Sequence, residues 1–131
     1  MNYMRLALDL AKDALGTTSP NPAVGAVLVK SGHIIGKGYT QTPGQAHAEI
    51  CAINQAGDQT ENSTLYVTLE PCSHHGRTPP CTSAIIQAGI TKVHMALLDP
   101  NPLINGLGKK ELENAGISVA VGDKEEEATQ I

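Results

Sequence analysis

No phenylalanine and no tryptophan occur in this chain of 131 residues, and tyrosine occurs three times. A core must therefore be built from Val, Ile, Leu and Ala, and the chain is long enough to bury one as a single domain. The same scarcity removes the aromatic platforms on which single-stranded nucleic acids stack. No apolar run approaches the ~20 residues needed to span a bilayer. The N-terminus, MNYMRLALDLAKDAL, carries Asp9, Lys12 and Asp13 and lacks a signal-peptide cleavage pattern. A formal net charge of −4 argues against broad binding to nucleic acid or to an anionic membrane. A local basic spot that holds one phosphate remains compatible with it. Cysteine occurs three times. In a cytoplasmic chain, three cysteines point to metal binding or catalysis rather than to disulfides.

What is present reads as alternating helices and strands. Residues 2–15 carry a helical stripe at Tyr3, Leu6, Ala7, Leu10, Ala11 and Ala14, with Gly16 as the stop. Residues 24–29 form an almost wholly apolar strand, as expected when both sheet faces are covered. Ser31-Gly32 turns the chain into a second strand, residues 33–36. A helix follows over residues 46–56 and ends at Gly57. Residues 57–63 are polar and are expected to be mobile. Strands are expected at residues 64–68, 92–98 and 117–121, and helices from Cys81 towards Gly89 and over residues 109–114. The residues after 122 form an acidic tail expected to fray. The fold class that follows is α/β, three layers with a mixed five-stranded sheet between helices. No internal repeat and no interdomain linker interrupts residues 1–122.

The stretch at residues 69–84, LEPCSHHGRTPPCTSA, carries the chemistry. Eight residues separate Cys72 from Cys81. Pro79 and Pro80 precede Cys81 and place it in the first turn of a helix. That position offers free N–H groups and a partial positive charge, which lower a thiol pKa. Upstream, His47-Ala48-Glu49 opens another helix. His47 supplies a nitrogen ligand, and Glu49 leans over the open position of the same ion. Three protein ligands with a fourth position left for water is the arrangement of catalytic zinc. One His, two Cys and a non-ligand Glu resemble the zinc nucleobase deaminase pattern, H-x-E followed by P-C-x-x-C. Here the second cysteine comes six residues later than that pattern expects. Cys51, one turn after His47, is open to two readings: a fourth ligand that closes a structural site, or a small hydrophobe packed beneath it. The first would make the protein a zinc-stabilised binding module rather than an enzyme.

The long cysteine loop, with Ser19-Pro20-Asn21-Pro22, Val24-Gly25-Ala26-Val27, His47-Ala48-Glu49 and Asp99-Pro100-Asn101-Pro102, resembles one family closely. It is the pyrimidine deaminase domain of the riboflavin-biosynthesis deaminase/reductase. The resemblance covers residues 4–122 and accounts for the wide cysteine spacing, since cytidine and tRNA-adenosine deaminases typically keep the short form. It implies the cytidine-deaminase-like fold. It implies deamination of 2,5-diamino-6-(5-phosphoribosylamino)pyrimidin-4-one to 5-amino-6-(5-phosphoribosylamino)uracil with release of ammonia. A zinc-dependent nucleoside or tRNA-base deaminase is the alternative. The resemblance places the ribose phosphate near His74 and Arg77 and the pyrimidine near Asn21. Each has a plainer reading, a solvated loop pair and a turn residue. Asp99 and Asn101 stand evenly between substrate contact and turn chemistry. Two departures stand out. The chain stops where a reductase domain follows in the bifunctional family, so no NADPH site is carried over and a separate reductase partner or a homo-oligomer stays open. Thr40 stands where the family commonly has His, which implies one altered substrate contact.

Overall fold

Five strands hydrogen-bond in the order β2-β1-β3-β4-β5, where β1 is Gly25–Lys30, β2 His33–Tyr39, β3 Thr64–Leu69, β4 Lys92–Leu97 and β5 Ser118–Val121. The structure is a computed structural model that describes residues 2–15, 23–41, 47–73 and 80–129. The pairs β1–β2 and β1–β3 are antiparallel, and β3–β4 and β4–β5 are parallel, so the sheet is mixed as expected. The helices are α1 Tyr3–Asp13, α2 Ala48–Ala56, α3 Cys81–Gln87, α4 Leu107–Asn114 and α5 Glu125–Ala128. None of the described helices is long and apolar enough to cross a membrane.

Alternation along the strands separates two cores. Ala26, Leu28, Leu65, Val67, Val93 and Met95 face one side and pack with Ala48, Ala52, Ile85 and Leu112 from α2, α3 and α4. Val27, Val29 and Ala96 face the other and pack with Met4, Ala7 and Leu8 of α1 and Ala128 of α5. The helix α2 lies unusually close to the sheet. A Cβ on Gly38 would stand 2.3 Å from the Ala48 carbonyl oxygen and 2.6 Å from the Cys51 Cβ. The small residues of α2 and the bare Cα of Gly38 together permit this approach, which sets where His47 and Glu49 sit.

Three expectations change. The buried face of α1 is Met4, Ala7, Leu8 and Ala11, with Ala14 just beyond its end, while Tyr3, Leu6 and Leu10 flank it half-buried. The helix is apolar around a wide arc, and periodicity alone does not choose the stripe's centre. Residues 57–63 are built into the fold rather than left mobile. The Asn62 N–H donates to the Gly89 carbonyl, the Thr91 N–H donates to the Ser63 carbonyl, and Ser63 is fully buried with its hydroxyl on the Thr60 carbonyl. The acidic tail does not fray at Glu125–Ala128: Ala128 is buried and Glu127 pairs with Arg5.

Thr40 is also buried. Its hydroxyl accepts the Val24 N–H at 2.8 Å, and its own N–H donates to the Val24 carbonyl at 2.9 Å. It lies one residue past the last paired residues of β1 and β2, Gly25 and Tyr39. Thr40→Val keeps the shape and leaves the buried Val24 donor unpartnered, so it is expected to lower stability by ~1–3 kcal/mol in chemical denaturation, with zinc content unchanged.

Candidate metal centre

His47 is the N-cap of α2, with extended backbone, and its side chain makes no capping hydrogen bond. The imidazole turns instead towards the cysteines. Its Nδ1 lies 3.1 Å from Cys81 Sγ and 3.8 Å from Cys72 Sγ. Cys72 follows β3 after Glu70 and Pro71, and Cys81 opens α3 behind Pro80, its N-cap. The two loop ends are laced together: the Thr82 N–H donates to the Cys72 carbonyl at 3.2 Å, and the Thr82 hydroxyl donates to Glu111 on α4 at 3.0 Å.

Among the described residues the three donor atoms of His47, Cys72 and Cys81 lie within 4.8 Å of one another. A tetrahedral ion with zinc–sulfur and zinc–nitrogen bonds near 2.3 and 2.0 Å has S···N edges of about 3.5 Å. The observed 3.1 and 3.8 Å bracket that value. Thiolate and imidazole donors in this geometry suit zinc. Cys51 stands outside the cluster, packed against β2, and burial raises its thiol pKa. That is the environment of a packed residue rather than of a thiolate ligand.

The benefit of the α3 N-terminus goes to the neighbouring sulfur, which corrects the expectation for Cys81. The Cys81 N–H donates to Cys72 Sγ at 3.3 Å. The Cys72 thiol pKa is pulled down, first by its hydrogen bond with the Cys81 side chain and further by that N–H and by His47, against the opposing effect of burial. Cys81 is pushed up, first because its thiol donates to Cys72 and then by burial. A bound dication would deprotonate both sulfurs, since a coordinating thiol is deprotonated outright.

Glu49 lies in the first turn of α2 and is almost fully buried. Burial pushes its carboxyl up to about 7; its own backbone N–H and His47 work against this, and Cys72 adds to it. A carboxyl poised there can both take and give a proton near neutral pH.

A sequence profile described as the cytidine and deoxycytidylate deaminase zinc-binding region matches residues 1–97. The chain belongs to this family of zinc-dependent deaminases. It is 59% identical over 130 residues to riboflavin biosynthesis protein RibD of Aquifex aeolicus, covering 99% of this chain and 36% of that protein. It superposes on Acinetobacter baumannii RibD with a TM-score of 0.96 at 50% identity, covering 98% of this chain and 36% of the other. A diaminohydroxyphosphoribosylaminopyrimidine deaminase/5-amino-6-(5-phosphoribosylamino)uracil reductase from Thermotoga maritima gives 0.91 at 47% identity, covering 98% and 37%. The deaminase chain thus spans little more than a third of the length of these relatives. The fold is the cytidine-deaminase-like one expected, and the activity is that of a hydrolase.

The remaining sequence candidates divide. Asn21, His74 and Arg77 lie outside the described residues. Asp99 and Asn101 use their side chains in the turn: Asp99 Oδ1 accepts the Asn101 N–H at 2.9 Å and Asn101 Oδ1 accepts the Leu103 N–H at 3.0 Å. Asp99 also lines a shallow cleft with Cys72, Ser73, Ile104 and Gly108. Sequence reasoning singled out no role for Glu70 in the wall of this cleft. Its one signal is a carboxylate at the end of an apolar strand, next to the Pro71-Cys72 pair.

Proposed function

We propose that this chain deaminates the phosphoribosylated diaminopyrimidinone of riboflavin synthesis to the corresponding aminouracil, with one zinc held by His47, Cys72 and Cys81. The observation that carries the reading is the convergence of those three donors beside the buried carboxyl of Glu49. The choice of substrate draws on the long spacer between Cys72 and Cys81 and on the names of the similar proteins, one a deaminase/reductase acting in that chemistry.

The reaction replaces an exocyclic amine by oxygen. When bound, zinc supplies a nucleophile at neutral pH by lowering the pKa of water to ~7. Glu49 takes the proton from the attacking water, passes it to the ring nitrogen, and later delivers a proton to the departing amine, which leaves as ammonia. Water is consumed and no electrons move, so the step calls for no NADPH. Reduction of the product falls to a separate or adjoining reductase. Thiolate ligands suit a reducing compartment, and we assign the protein to the cytoplasm. Asn21 is assigned to the pyrimidine, His74 and Arg77 to the phosphate, and Asp99 and Asn101 to substrate contact.

The test is ammonia release from the diaminopyrimidinone nucleotide, with cytidine and tRNA as controls. Release from that nucleotide alone supports the reading; release from cytidine or tRNA in its place overturns it. The phosphate assignment has its own test. Arg77→Ala is expected to lower kcat/KM on the phosphorylated substrate by about ten- to hundredfold, as for loss of a charge-assisted hydrogen bond. It should barely change the rate on the dephosphorylated nucleoside. Equal losses on both would mean that Arg77 supports the loop and that phosphate is recognised elsewhere.

A further inference from the structure

Glu70 is a buried carboxylate whose two oxygens both face backbone donors of one remote segment. Its Oε1 accepts the Asp99 N–H at 2.9 Å and the Gly106 N–H at 3.0 Å. Its Oε2 accepts the Lys109 N–H at 2.9 Å, a donor in the first turn of α4. The Glu70 N–H itself donates to the Leu97 carbonyl at 2.8 Å, at the end of β4. The segment is also drawn in from outside, where Asn105 Nδ2 donates to the Asp99 carbonyl at 2.7 Å.

Contact is tight on the same line. A Cβ on Gly108 would stand 2.3 Å from the Pro71 carbonyl oxygen, a clash with backbone that nothing nearby relieves. The start of α4 therefore rests directly on the peptide that precedes Cys72. Asp99, Ile104 and Gly108 form one side of the cleft, and Cys72 and Ser73 form the other. Glu70 joins the two sides.

We propose that Glu70 is a positioning residue which, through its three backbone hydrogen bonds, holds residues 99–106 as the substrate-facing wall beside Cys72. It touches neither metal nor reacting atoms in this role. Fixing the wall in advance removes the need to order it when substrate binds, so its contribution falls on binding rather than on the chemical step. The proposal rests on the substrate reading above.

The experiment compares the zinc-loaded wild type with Glu70→Gln. An amide keeps one accepting oxygen but turns an NH₂ group against backbone N–H donors, so one side of the clamp is lost. The expected result is a KM for the diaminopyrimidinone nucleotide raised about tenfold, with kcat within about threefold. Zinc content stays at the wild-type value. Hydrogen exchange accelerates at the Asp99, Gly106 and Lys109 amides while the Cys81 amide remains protected. Asn105→Ala, an exposed change at the same segment, is expected to raise KM in the same direction and serves if Glu70→Gln does not fold. An active wild type with KM unchanged in both variants overturns the proposal, as does a fall in kcat that follows loss of zinc. A wild type inactive on the nucleotide overturns the substrate reading and this proposal together, and the wild-type assay alone distinguishes that outcome.

Discussion

Glu49→Gln is expected to lower kcat by about 10²–10⁴ while fold and zinc content stay unchanged. Glutamine preserves the volume of a side chain that is 4% exposed, so packing gives no reason for a large loss of stability. What it removes is the group that carries the proton between water, ring nitrogen and leaving amine. His47, Cys72 and Cys81 make up the donor cluster without Glu49, so metal binding is left intact. The decisive readouts are metal analysis and single-turnover rate on the same preparation. A variant with near-normal turnover would remove Glu49 from the mechanism. One that loses zinc with activity would make it a structural partner of the ligands.

The second large effect is expected at the cysteines. Cys72→Ser or Cys81→Ser should weaken zinc binding by more than about 100-fold, since changing merely the partners of metal ligands commonly costs 10–100-fold. Deamination should fall with the metal. Zinc bound to the native state also stabilises it by mass action, so the wild type should melt at higher temperature in the presence of zinc and the serine variants should not. Cys51→Ser is the internal control. It lies outside the donor cluster and should retain both zinc and the zinc-dependent rise in melting temperature. Loss of zinc from Cys51→Ser would revive a closed structural site and count against an open catalytic one.

The cluster was legible in the sequence because ligand chemistry narrows the choice of residue. A histidine at one helix start, Pro71-Cys72 after a strand and Pro80-Cys81 at another helix start admit few other readings. The sheet was legible for a similar reason: the run from Val24 to Val29 is apolar at every position but Gly25, and only a strand covered on both faces asks for that. Contacts between distant segments were not legible. Nothing near Ser63 in the chain announces that Asn62 bonds to Gly89, and nothing near Glu70 announces the amides of Asp99, Gly106 and Lys109. The direction of the Cys81 N–H was hidden too. The helix start at Cys81 promised a lowered pKa for that cysteine, whereas its N–H points at Cys72. The bond from the Val24 N–H to the Thr40 hydroxyl, sixteen residues apart in the chain, was not legible either.

The account turns on zinc held by His47, Cys72 and Cys81 as the agent that makes water reactive beside Glu49. The most direct measurement is a zinc titration of chelator-stripped protein, following ammonia release from the diaminopyrimidinone nucleotide. The account predicts no release from the stripped protein and a rise that levels off at about one ion per chain. Full ammonia release from protein shown by metal analysis to be free of zinc would contradict it.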